Sequence, residues 1–194
     1  MADTPPEPPS DLSARKLPIQ ELLVGSKLFR IHLSAYHAKY FGRSANWRFD
    51  DPASSYGTLY AGLRPYVSFA ETLLRGRGTT VVQSELATRS LCSFTATRTL
   101  KLVSLHGRHL ATVGANAAVT AGSYPISQRW SRAFHDHSDR PDGIVYRATH
   151  DNDELAVVIF ERAAASIDDG ASSGLLTNPV MLGMMLDHYQ AAIR

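Results

Sequence analysis

Large apolar side chains are almost absent from the first sixteen residues, which hold Pro5, Pro6, Pro8 and Pro9, so the pattern predicts a flexible arm over residues 1–16. From Ile19 the apolar positions reach globular density. A short apolar turn over residues 21–24 precedes residues 27–33, whose alternation predicts a strand with Arg30 and His32 on one face. Residues 34–55 are polar and aromatic with little periodicity, and they read as a long structured loop that includes Arg48. Long loops in compact domains are often functional. Residues 56–62 predict a short strand carrying Tyr60. Pro65 then suits a first helical turn, and Val67, Ala70, Leu73 and Leu74 recur at helical spacing up to Gly76, which puts Glu71 on a helix.

Residues 79–105, rich in Val, Thr, Leu and Phe, predict two or three strands, and residues 107–137 predict mostly helix, broken near Gly122 and Pro125. A turn at residues 140–143 leads into a strand over 144–148. The polar run HDNDE then connects it to a second apolar strand over 155–161. Asn178 and Pro179 mark the start of a closing amphipathic helix. Strands and helices without regular alternation predict an α+β fold around a mainly antiparallel or mixed sheet, in one domain over residues 17–194. A dinucleotide-binding doubly wound sheet is disfavoured. The one G-x-G, at Gly76 and Gly78, follows a helix and lacks the third glycine.

Composition narrows the function classes. With 44% hydrophobic and 20% charged residues the chain is globular, and a formal net charge of +2 gives no bulk attraction to nucleic acid or anionic lipid. Of the 20 basic residues 16 are Arg and 4 are Lys, and Arg suits planar recognition of phosphate or carboxylate. A lone Cys92 excludes an internal disulfide framework. The N-terminal acids and prolines lack the basic start and apolar run of a secretory signal, and no apolar stretch approaches the roughly 20 residues of a membrane span. A soluble cytoplasmic protein without a membrane contact is expected.

Common catalytic signatures are missing: there is no G-x-S-x-G, P-loop or H-E-x-x-H. The HDHSD segment reads as a solvated helix end, His106 and His109 as surface residues, and Asp151, Asp153 and Glu154 as turn residues, so no metal is expected. Four residues are unusual for their settings: Arg30 in a strand, Arg48 in an aromatic loop, Tyr60 on a short strand and Glu71 on an apolar helix. Each alone has an ordinary explanation. Arg30 can snorkel to solvent, Tyr60 can be an edge aromatic, and Glu71 can pair with Arg75 one turn later.

Their order changes the odds. The series FRIH, NWRFDD, YGTLYAG, FAETLLR, DGIVYRATHDNDELAVVIFERA and LGMMLDHYQ, over about residues 26–190, resembles the RES-domain toxins of bacterial type II toxin–antitoxin pairs. The family takes its name from an Arg, a Glu and a Ser, and Arg30 and Glu71 match the first two. The serine usually stands two residues after the tyrosine of the late strand, where this chain has Ala148 followed by Thr149. Thr149 substitutes after a small shift, or the serine contact is dispensable, or this copy is catalytically altered.

The resemblance implies a bent, split sheet like that of ADP-ribosyltransferases, with NAD as substrate in its cleft. It also implies a helix-turn-helix (Xre-like) antitoxin that occludes the NAD pocket, with DNA contacted only through that partner. In that frame Glu71 stabilises the positive charge that builds on ribose as the nicotinamide bond breaks, while Arg30 and Arg48 hold phosphates and Tyr60 packs on the nicotinamide or its ribose. His32, Tyr146 and Thr149 rank lower in the pocket. The ADP-ribosyl group passes to a protein acceptor, to phosphate or to water. An inactive RES module that only engages its antitoxin, and an RNA-directed toxin, are the competing expectations.

Overall fold

The computed structural model describes residues 6–76 and 78–194. Among these residues there are ten strands: β1 (Ile19–Leu22), β2 (Lys27–Leu33), β3 (Thr58–Gly62), β4 (Thr80–Val81), β5 (Arg89–Thr95), β6 (Leu100–Leu105), β7 (Gly143–Arg147), β8 (Leu155–Phe160), β9 (Ala171–Gly174) and β10 (Ala192–Ile193). Six α-helices accompany them among the described residues: α1 (Pro65–Phe69), α2 (Gln83–Ala87), α3 (His109–Val113), α4 (Ala118–Ala121), α5 (Tyr124–His135) and α6 (Pro179–His188). Eight strands pair in the order β1-β6-β7-β8-β3-β2-β5-β9, antiparallel except for β6 with β7, and β10 pairs with β4 separately. This is the expected α+β architecture, mostly antiparallel with flanking helices.

The sheet has one weak seam. Strands β2 and β3 share a single register pair, Phe29 with Gly62, whereas β2 runs beside β5 over seven pairs. The seam therefore divides the sheet into a β1-β6-β7-β8-β3 half and a β2-β5-β9 half. Helix α1 packs over this joint, and Gly62 is required there: a Cβ would lie 2.6 Å from Val67 Cβ and 2.8 Å from Arg64 O. Ser68 Oγ donates to Phe29 O at 2.7 Å and fastens the helix to β2. After Phe69 the helix widens into a π-helical turn over Ala70–Leu74, which carries Glu71. Such wide turns recur at functional sites.

Two faces of the sheet bury separate cores. Strand alternation puts Leu28, Leu59, Phe94, Val145, Val157 and Ile159 on one face. The other receives Ile31, Ile144, Tyr146 and Val158, covered by α1, α5 and α6. Helix α5 presents Ile126, Trp130 and Phe134 at four-residue spacing, an apolar stripe facing this second core.

Several details differ from the sequence reading. The segment expected as an apolar turn at 21–24 supplies part of strand β1, paired with β6. Between the strands expected over 79–105 lies the short helix α2. Described residues of the arm pack on the domain. Leu12 is 3% exposed, Trp130 Nε1 donates to Pro6 O at 2.7 Å, and Glu7 pairs with Arg129. Buried Leu12 anchors the arm, and buried Leu17 directly after it begins the domain; residues 1–5 lie outside the described residues. The late hairpin and the α6 start match expectation, with Asn178 Oδ1 accepting from Met181 N at 3.2 Å.

Asp51 ties the long loop to α5. Its buried carboxylate accepts from Ser55 N at 2.6 Å and from Arg132 Nη1 at 2.9 Å. Burial alone would raise its pKa, but the Ser55 and Arg132 hydrogen bonds outweigh that and lower it to about 2. A depressed carboxylate pKa adds stability above its ordinary value and loses it as pH falls through the folded value. Chemical denaturation should show on the order of 2 kcal/mol less stability for Asp51→Asn at pH 7, with the gap to the wild type closing between about pH 4 and pH 2.

Candidate active site

Glu71 is held by backbone. Its Oε1 accepts from Thr149 N at 2.6 Å and His150 N at 3.0 Å, with His150 Nδ1 at 3.3 Å. Both amides belong to the β7–β8 connection. That turn braces itself through Ala148 N to Glu154 O (3.0 Å), Arg147 Nη1 to Asp153 O (2.8 Å) and Asp153 N to Asp151 Oδ1 (3.2 Å). Helix α6 steadies it from outside, where Tyr189 OH donates to Asp151 Oδ2 at 2.7 Å. Among the described residues Oε2 of Glu71 has no hydrogen-bond partner, so a fixed carboxylate keeps one oxygen free. The anticipated Glu71–Arg75 pair does not form. The π-helical turn takes Arg75 off the row above Glu71, and its guanidinium lies over Trp47 instead.

The opposite wall comes from the long loop. Asp50 is buried and gathers it: Oδ1 accepts from Thr58 Oγ1 (2.7 Å) and Tyr60 OH (3.1 Å), and Oδ2 from Asn46 N (3.2 Å) and Trp47 N (3.1 Å). Helix α5 grips the same loop. Gln128 Nε2 donates to Ala45 O and Trp47 O, and Ser131 Oγ to Phe49 O. The loop so fixed presents Arg48, whose Nη1 donates to Gly122 O at 2.7 Å and whose guanidinium lies 4.9 Å from the Tyr124 ring centre.

Tyr60 is less available than the sequence suggested. Its hydroxyl donates to Asp50 and accepts from Phe49 N at 2.8 Å; burial first, and the Asp50 charge second, hold it well above the usual phenol range. It builds the wall that carries Arg48. Tyr146 has the converse arrangement. Only 5% exposed and edge-on to Phe49 at 4.8 Å, it has no hydrogen-bond partner for its hydroxyl among the described residues. Burial raises its pKa, and Glu71, Arg48, Tyr124 and Arg75 all lie within electrostatic reach of it.

Arg30 and His32 are elsewhere. Strand alternation in β2 sends them to the face shared with Leu28 and Cys92, while Tyr60, Tyr146 and the Glu71 helix occupy the other. This corrects the expectation that Arg30 and Arg48 converge on one ligand. Arg30 Nη1 donates to Ala38 O and Tyr40 O, both at 2.9 Å, and burial acts against its charge with no carboxylate offsetting it. His32 Nε2 meets Ser172 Oγ at 2.7 Å, and its Nδ1 meets Leu33 O, which only accepts, so in the neutral ring Nδ1 carries the proton. Both residues line a cavity of about 540 Å³ with Tyr36, His37, Tyr40 and Arg89.

Thr149 enters through its main chain, with an exposed side chain, and Ala148 is a core residue at 2% exposure. Sequence reasoning missed Trp47 and Tyr124 at the arginines, considered Arg75 only as an ordinary helical partner for Glu71, and left His150 and Tyr189 as turn and helix residues. Their ring chemistry was legible, but their placement depends on segments far apart in the chain.

A protein-family model described as the RES domain matches residues 27–177. The probable toxin y4kH of Sinorhizobium fredii is 32% identical over 76 residues, 39% of this chain and 59% of that relative, so the similar segment spans about three fifths of the relative's length. A chain of the crystal structure of the M. tuberculosis MbcT–MbcA toxin–antitoxin complex has a TM-score of 0.61 at 12% identity, covering 84% of this chain and 92% of that one, a likeness of fold. Because the family match runs from β2 to the turn before α6, far more than half its length, the chain belongs to the RES domain family.

Proposed function

We propose that the chain is the toxin of a toxin–antitoxin pair and that it consumes NAD by breaking the bond between nicotinamide and ribose. Family membership and a relative named as a probable toxin support the first part. The observation that carries the chemistry is Glu71, clamped through Oε1 and free at Oε2. In the reaction the C–N bonding pair leaves with nicotinamide, which departs neutral from a pyridinium and needs no general acid. Positive charge gathers on the ribose. Oε2 of Glu71 accepts a hydrogen bond from a ribose hydroxyl, and its negative charge counts most when the sugar is most cationic. Water, phosphate or a protein side chain then forms a bond to the same ribose carbon that nicotinamide left, and the proton of the attacking group passes to solvent.

Arg48 contributes a charge-assisted fork to the phosphates. His150 and Tyr146 border the ribose, and Tyr60 acts indirectly by fixing the arginine loop. Arg30 positions the 38–40 backbone from the other face. An antitoxin of helix-turn-helix type would occlude the site and carry any DNA contact. A catalytically attenuated copy that only binds its antitoxin is the second reading, favoured by Ala148; absence of NAD turnover by the wild type would select it.

Three outcomes are expected. Glu71→Gln keeps a carbonyl for the two amides but loses the charge, so nicotinamide release, followed by chromatography, should fall about 10²- to 10³-fold in kcat with an unchanged melting temperature. Arg30→Ala should do the reverse, lowering stability by about 1–3 kcal/mol through two abandoned carbonyls while turnover per folded molecule stays within a few fold. Ala148→Ser should bury a hydroxyl among apolar neighbours, costing about 1–2 kcal/mol in a denaturation curve without raising turnover. A large gain in rate would instead make that position part of the chemistry.

A further inference from the structure

Among the described residues of this wall, Arg48 is tied to a main-chain carbonyl, whereas Arg75 has only aromatic and tyrosine-hydroxyl contacts. Its guanidinium lies 5.0 Å from the Trp47 ring centre and 6.0 Å from that of Tyr124, and Nη2 donates to the Tyr124 hydroxyl. Arg48 lies over the same tyrosine at 4.9 Å. Neither arginine has a carboxylate partner among the described residues. Two like charges thus share one aromatic ring unneutralised, an arrangement that an anion stabilises and that surface packing alone does not require. Trp47 is 49% exposed, which leaves indole surface for a flat heterocycle.

A second observation links this wall to Glu71. The Tyr146 side chain is largely buried, its hydroxyl has no hydrogen-bond partner among the described residues, and both arginines and Glu71 lie within electrostatic reach of it. We propose that Arg75, with Arg48, Tyr124 and Trp47, forms a subsite for the adenosine diphosphate half of the substrate, which makes the enzyme prefer a dinucleotide to a mononucleotide. The inference rests on the NAD reading of the Glu71 site and adds the residue that sets its reach. Two guanidinium forks match the two phosphates of a diphosphate, and the tryptophan supplies a face for the purine. The remote contact lowers KM, whereas Glu71 acts in the transition state.

The test compares wild type, Arg75→Ala and Arg75→Lys on NAD and on nicotinamide mononucleotide, with ADP binding measured by calorimetry. Arg75 is exposed, and a thermal melt checks that each variant folds. Arg75→Ala should raise KM for NAD and weaken ADP binding at least tenfold, leave kcat within about twofold, and leave the mononucleotide unaffected; Arg75→Lys should fall between. Equal losses on both substrates, or unchanged ADP binding, overturn the subsite, as does a wild type that binds no ADP. If the wild type consumes neither substrate, the NAD reading fails on its own, and ADP binding that depends on Arg75 still supports an adenosine diphosphate subsite.

Discussion

Two backbone amides, those of Thr149 and His150, grip a single oxygen of Glu71, and the rest of the site is arranged around the consequence. A glutamate on a helix surface samples many rotamers, and ordering it costs entropy each time a ligand binds. Here the cost is met in folding. The π-helical turn aims the side chain at the β7–β8 connection, that connection is braced by its own hydrogen bonds and by Tyr189, and the second oxygen stays available. Preorganised negative charge opposite a sugar that becomes cationic is the economical route to glycosidic cleavage.

The seam between β2 and β3 explains why the site lies where it does. With one register pair joining the halves, α1 can settle close against the joint, at Gly62, and deliver Glu71 beside β7. The long loop supplies the complementary cations because buried Asp50 and the polar side chains of α5 leave it a single conformation. Rigid scaffolding of an irregular segment allows Arg48 and Trp47 to stand at the surface without collapsing into the core.

Alternation and spacing exposed much of this in advance: β2, β3, the late hairpin, the helix bearing Glu71 and the α6 cap were all legible, because each follows from local periodicity. The side to which Arg30 points was not. Period 2 grouped it correctly with His32, yet which sheet face receives the Glu71 helix is a tertiary fact, and Arg30 lies on the far one. The ordinary alternative of a Glu71–Arg75 pair fails for a related reason, since i,i+4 pairing presumes a regular helix and the chain widens at Ala70. Proline density likewise overstated the freedom of the N-terminal segment, whose Leu12 reaches the core.

The central claim is that substrate occupies the Glu71 face. A crystal structure of Glu71→Gln with NAD tests it most directly, because the amide keeps the clamp while slowing the reaction. The account predicts the nicotinamide ribose within hydrogen-bond distance of the free side-chain atom of residue 71, with the diphosphate towards Arg48. Density for the dinucleotide in the cavity of Arg30, His32 and Tyr40 would contradict it.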